Sequence, residues 1–158
     1  MQAELWIIKS FKPTFLPERL SEPLEVKKPS KIFVCSVSDL FASWTPRPWM
    51  WQVLYAIWSC DIPHTFQLLT KNPELIPKRP YYQDNVWVGT TVTCQGDLKN
   101  IEEIKQIKAR VRFVSFEPLL GALPEDCSLK GIDWVIVGKL TGSKKVKLKF
   151  EWLASILS

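Results

Sequence analysis

The sequence predicts an α/β fold of about five parallel strands, open as a doubly wound sheet or curled into an incomplete parallel (β/α) barrel. Three observations carry this. Short runs rich in β-branched and aromatic residues recur roughly every 20–35 residues. The links between them hold helical spacings or loop signals, so the chain reads as repeated β-α units, which give parallel strands with right-handed crossovers. The runs are continuous rather than alternating, as expected of strands covered on both faces.

Composition sets the limits. A chain of 158 residues suffices for one domain with a sizeable core, and we read 1–158 as that single domain. With 46% hydrophobic and 23% charged residues, it falls outside the disordered and collagen-like classes. Eight tryptophans point to a packed core or an aromatic-lined groove. No stretch approaches the roughly 20 apolar residues that cross a bilayer, and Leu5–Ile8 is too short for a signal-peptide core, so a cytoplasmic protein is expected. The net charge of +5 fits an anionic partner or a solvated basic face. Cys35, Cys60, Cys94 and Cys127 include no C-x-x-C pair, which argues for free thiols over a disulfide framework or a preformed metal loop.

The first thirty residues hold prolines at 13, 17 and 23, which forbid a long helix and predict an extended segment (1–30) ahead of the barrel proper (31–158). Leu5–Ile8 is a candidate strand within it. Ile32–Val37 is predicted as the first buried strand, followed at Thr45-Pro46 by a helix carrying Met50, Val53, Leu54, Ile57 and Trp58 at helical spacing. Thr65–Thr70 is the second strand, and Asn72-Pro73-Glu74 starts a helical turn. Val86–Val92 is the third. Asp97 is placed to cap a helix with Leu98, Ile101, Ile104 and Ile107 on its inner side. Val111–Phe116 and Trp134–Val137 complete the strands, and a last helix begins near Phe150 with Trp152, Leu153, Ile156 and Leu157 facing inward.

Parallel α/β folds bind ligands where the strands end. The polar residues at those ends are Ser36, Ser38 and Asp39, then Thr70 and Lys71, Thr91 and Thr93, Ser115 and Glu117, and finally Gly138, Lys139 and Thr141. Acidic, basic and hydroxyl groups together suit a ligand carrying an amine, a carboxylate and a ribose. Singly, each also reads as an ordinary loop cap. His64 precedes a strand, at the end away from such a site, and is expected to be structural. Lys144, Lys145, Lys147 and Lys149 form a basic tract, either a solvated face or a phosphate-contacting surface. No G-x-S-x-G, P-loop or G-x-G-x-x-G pattern occurs.

Five segments carry a resemblance: FLPERLSEPLEVKKPSKIFVCSVSDLF (15–41), HTFQLLTKNPE (64–74), NVWVGTTV (85–92), VRFVSFEPLLG (111–121) and IDWVIVG (132–138). In this order they resemble a family of phage- and prophage-encoded radical-S-adenosylmethionine-like proteins of poorly characterised function. The resemblance implies a partial (β/α)6 barrel of which this chain holds the second through sixth strands. It also implies S-adenosylmethionine as a ligand, for which Ser36, Asp39, Lys71, Thr91, Glu117 and Gly138 at the strand ends are the candidate contacts. In that family a cysteine loop after the first strand binds a 4Fe–4S cluster whose open iron is chelated by the cofactor. That loop belongs upstream of Phe11–Leu20, where this sequence has no cysteine, so a cluster is expected to be absent. Cys35 stands where the family usually has Asn, and Gly138-Lys139-Leu140-Thr141-Gly142 replaces Gly-Gly-Glu-Ser-Gly.

The expectation from sequence is thus a truncated, radical-S-adenosylmethionine-like partial barrel that keeps a small-molecule pocket without its cluster and leans away from catalysis. Two alternatives stand beside it: a nucleic-acid- or protein-binding module using the basic C-terminal surface, and a fragment of an active radical enzyme. An open barrel also leaves a bare strand edge, where a homo-oligomer or a partner chain is expected to pair.

Overall fold

The five strands predicted from Ile32 onward form, and they lie in chain order in one sheet. The computed structural model describes residues 13–79, 82–124, 127–140 and 149–157. Strands β1 (Lys31–Phe33), β2 (Thr65–Thr70), β3 (Val86–Thr91), β4 (Val111–Phe116) and β5 (Trp134–Val137) pair in the order β1-β2-β3-β4-β5, all parallel. The sheet curls into a half-barrel with helices outside, an incomplete α/β barrel. The helices are α1 (Glu22–Glu25), α2 (Arg47–Trp58), α3 (Lys99–Lys105) and α4 (Phe150–Leu157), with 3-10 turns at Pro17–Ser21, Pro73–Leu75 and Gln95–Asp97. No helix among the described residues is long and apolar enough to cross a membrane.

The register divides the side chains between two faces, because aligned residues of neighbouring strands point the same way and alternate along each strand. Phe66 and Leu68 align with Val86 and Val88. These four pack with Met50, Leu54 and Ile57 of α2 and with Ile104 and Ile107 in and beyond α3. Val114 and Phe116 join Val92, Ile101, Leu119 and Leu123 in a second cluster, against which Trp152 and Ile156 of α4 lie. The helices therefore cover the outer face. Trp87, Gly89 and Thr91 of β3 and Phe113 and Ser115 of β4 belong to the inner, concave face.

Two local departures from expectation have clear causes. The first strand ends at Phe33 rather than Val37, because Cys35 adopts φ 56° and its carbonyl accepts Ser38 N–H in a turn (2.9 Å). The N-terminal segment is not wholly extended: prolines at the starts of the Pro17–Ser21 turn and of α1 suit the first helical position, where no N–H is needed. The candidate strand Leu5–Ile8 lies outside the described residues.

His64 is structural, as its position suggested. It is fully buried, its Nδ1 accepts Ser30 N–H (3.1 Å), and its Nε2–H is left to donate to Pro23 O (2.9 Å). The ring thus staples α1 and the start of β1 to β2, with Phe66 edge-on at 6.0 Å. His64→Ala is expected to lower unfolding free energy by about 2–4 kcal/mol, from two lost bonds and the space left behind. Urea unfolding measures this, and an unchanged midpoint would contradict it.

Candidate functional site

The carboxyl ends of the strands bring most of the expected residues to one rim, but they do not share one task. Asp39 is saturated internally. Its Oδ1 accepts Phe41 N–H (3.0 Å) and Thr70 Oγ1–H (2.7 Å), and its Oδ2 accepts Lys71 N–H (2.9 Å) and Asn72 Nδ2–H (3.1 Å). A carboxylate has about four lone-pair sites, so Asp39 has no capacity left for a ligand. It ties the β1–α2 loop to the end of β2 and fixes where Lys71 leaves the sheet. Asn72 does not cap the following turn with its side chain, which is committed to Asp39; its own N–H donates to Thr70 Oγ1 (2.9 Å).

Lys71, Thr91, Ser115, Glu117 and Gly138 follow one another across β2 to β5 on the concave side. Thr91 aligns with Ser115 in the register. Thr91 is 7% and Ser115 3% exposed, yet neither hydroxyl meets a partner among the described residues. Neither oxygen is sealed off either, since Arg112 Nε is the one fully enclosed side-chain polar atom without a hydrogen bond among those residues. Two buried hydroxyls therefore open side by side into the concavity. Both stand among the polar residues expected at the strand ends, but only Thr91 is among the expected ligand contacts; period-two alternation along VRFVSFE, which groups Phe113, Ser115 and Glu117, is the signal that brings in Ser115.

Glu117 lies flat against the end of β5. A Cβ on Gly138 would come within 2.6 Å of Glu117 Oε1 and 2.7 Å of its Cδ and Cγ, so the absent side chain of Gly138 makes the carboxylate's berth. The loop is anchored around it by Gly138 N–H to Phe116 O (3.1 Å) and Leu119 N–H to Gly138 O (2.9 Å). Neither the Glu117 carboxylate nor the Lys71 ammonium is ion-paired among the described residues, and Lys71 is not paired with Glu74. Asn100, buried behind the rim, reaches the carbonyls of Lys71 and Thr91 (3.4 Å each) and links the two strand ends.

The other expected rim residues divide in the same way. Thr70 is consumed by Asp39. Thr93 donates both N–H (2.8 Å) and Oγ1–H (2.7 Å) to Asp97 Oδ2, which turns Asp97 back toward β3 rather than into a helix cap. Desolvation pushes the Asp97 carboxyl up, but the Thr93 bonds, a Cys94 N–H and nearby Lys71 together hold it below the ordinary range. Ser36 and Ser38 are exposed on the loop after β1. Burial raises the Cys35 thiol above its ordinary range, Asp39 adds to this and Arg19 opposes it, which disfavours the thiolate.

Deeper in the concavity, toward the amino ends of the strands, the surface is aromatic. Trp87 and Trp134 meet edge to face at 5.7 Å, Phe113 and Trp134 at 5.4 Å, and Lys31 Nζ sits 5.4 Å above the Trp87 ring. Phe33 (43% exposed) and Trp134 (39%) leave apolar surface uncovered. Of the basic tract, Lys144, Lys145 and Lys147 lie outside the described residues, as does Thr141. Lys149 places its Nζ 5.8 Å from the Trp152 ring. All four cysteines are free, and among the described residues no three His, Cys, Asp or Glu side chains gather into a metal-ligating group.

Comparison with known proteins gives one family and no more. The model described as "Protein of unknown function (DUF5131)" matches residues 2–158. No curated protein and no solved structure matches the chain.

Proposed function

We propose that this chain, which belongs to the DUF5131 family of proteins of unknown function, binds a small zwitterionic nucleoside of the S-adenosylmethionine kind on the concave face of its half-barrel. One observation carries the reading: the nearly buried hydroxyls of Thr91 and Ser115, without a partner among the described residues, set between Lys71 and Glu117, whose charges form no ion pair among those residues. Hydroxyls so placed, open to the concavity and not committed to the protein, are available to a hydrogen-bonding ligand. Neighbouring strands are about 4.8 Å apart, so Lys71 and Glu117 stand at least roughly 10 Å apart at the backbone, with Lys71 near Asp97 on one side of the two hydroxyls and Glu117 against Gly138 on the other. Lys71 would take a carboxylate, Glu117 an amine, and Thr91 with Ser115 the ribose hydroxyls. The partly exposed ring of Trp134 offers a face to a flat base.

The resemblance to radical-S-adenosylmethionine-like proteins supports the choice of ligand and also brings in a cluster. Radical cleavage of the sulfonium needs a cluster iron beside the cofactor. The described residues offer candidate polar contacts for such a ligand and include no cysteine loop, so binding alone is proposed.

Titration calorimetry with S-adenosylmethionine tests it. Saturable heat is expected, and Thr91→Val and Ser115→Ala should each weaken binding about tenfold, the equivalent of one hydrogen bond. Their thermal stability should be unchanged or slightly higher, because neither hydroxyl has a partner in the free protein. Absence of heat, or binding indifferent to both changes, would overturn the proposal.

A further inference from the structure

The outer strand β1 carries a second feature, independent of the concave site. Thr65 N–H donates to Ser30 O (2.9 Å) and Val34 N–H to Gln67 O (3.0 Å). With Ile32 aligned on Phe66, residues 30, 32 and 34 therefore turn their main-chain groups toward β2. Those of Lys31 and Phe33 point the other way, off the end of the sheet, and have no partner among the described residues. Beside them opens a cavity of about 620 Å³ between the N-terminal turns, β1 and α2. Leu16, Val26, Phe33, Val37 and Trp44 line it and are all exposed, Val37 by 89%. An edge of this kind is a template for strand addition.

We infer that this edge pairs with itself: two copies of the chain join β1 to β1, antiparallel, about a two-fold axis at Ile32. In an antiparallel ladder the residues of a hydrogen-bonded pair exchange both bonds, and the next such pair lies two residues on. Lys31 opposite Phe33 of the partner subunit, and Phe33 opposite Lys31 of the partner subunit, is therefore one consistent register. It makes four hydrogen bonds and leaves no free group on either β1. The side chains agree with it. Lys31 and Phe33 both lie on the concave face, so each Phe33 ring stands beside the base of a Lys31 stem whose ammonium leans inward over Trp87. A slip of two residues one way would set Lys31 against Lys31 of the partner subunit, a like-charge pair, and the other way would set Lys31 opposite Cys35 of the partner subunit, beyond the end of β1 where the positive φ breaks the ladder. Three-residue strands alone associate weakly, and the exposed apolar side chains around the cavity supply the remaining burial. The assembly is a closed two-fold dimer, the commonest symmetry for a self-complementary surface.

Light scattering and sedimentation of the full chain over the micromolar range, with Phe33→Pro as the variant, test this. Proline at 33 removes only the outward N–H and spares every bond between β1 and β2. A concentration-dependent dimer is expected, with Phe33→Pro raising its dissociation constant at least tenfold while the circular dichroism is kept. Amide exchange at Lys31 and Phe33 should be slow in the dimer and quicken on dilution, a readout that holds even if the proline variant fails to fold. A monomer at every concentration overturns the inference. So does a dimer, or a complex with another protein, in which these two amides exchange freely.

Discussion

Asp39→Ala is expected to destabilise the protein by about 2–4 kcal/mol and to abolish ligand binding at the rim, although Asp39 touches no ligand. Removing the carboxylate leaves four donors without their acceptor: Phe41 N–H, Thr70 Oγ1–H, Lys71 N–H and Asn72 Nδ2–H. Hydrogen bonds to a charged group contribute about 1.5–3 kcal/mol each. Lys71 and the loop are partly open to water, which can re-solvate some donors, so the total falls well below the sum. Asp39→Asn distinguishes a hub from a filler. An amide offers one acceptor oxygen and turns an NH2 toward two of the four donors, so Asn should cost nearly as much as Ala. Chemical unfolding gives the stability change, and calorimetry at a temperature where the variant stays folded gives the binding. An Asn variant as stable as the parent would contradict this role.

Gly89→Ala is the second large effect. A Cβ at position 89 would lie 2.6 Å from three carbons of the Phe113 ring, which is fully buried and backed by Trp134 at 5.4 Å. Any retreat of the ring would have to displace Trp134, which packs in turn on Trp87. Overpacking of this kind costs about 1–3 kcal/mol, against the usual gain from replacing glycine in a strand. Phe113→Ala alone should cost about 3–5 kcal/mol. In the double variant the new methyl group occupies the space the ring vacated, so Gly89→Ala becomes neutral or stabilising there. The coupling should reach at least about 1 kcal/mol. Additive effects would show that the two residues do not meet as described.

Much of the fold was legible because its strands are short apolar runs bounded by breakers. Thr65–Thr70, Val111–Phe116 and Trp134–Val137 have the limits the sequence predicts. The helix after Thr45-Pro46 buries Met50, Leu54 and Ile57 on the predicted face. Illegible were the features set by distant partners. The positive φ of Cys35, which cuts β1 short, has no signal in a run that reads IFVCSV. Asp39 and Asp97 look alike as loop carboxylates. One holds the end of a strand 31 residues away, and the other binds a threonine four residues back. The division of the rim into internal braces (Asp39, Thr70) and open groups (Lys71, Thr91, Ser115, Glu117) depends on which face each side chain takes. That follows from register, which period-two alternation constrains only once the neighbouring strands are known.

The central claim is that the concave face, between Lys71 and Glu117, is where this protein holds its ligand. Amide and methyl chemical shifts recorded during a titration with S-adenosylmethionine test it most directly. The predicted result is saturable change at Lys71, Thr91, Ser115, Glu117 and Gly138, with Leu54, Leu68 and Val88 on the helix-covered face unmoved. Changes confined to the helix-covered face, or no change at any concentration, would contradict it.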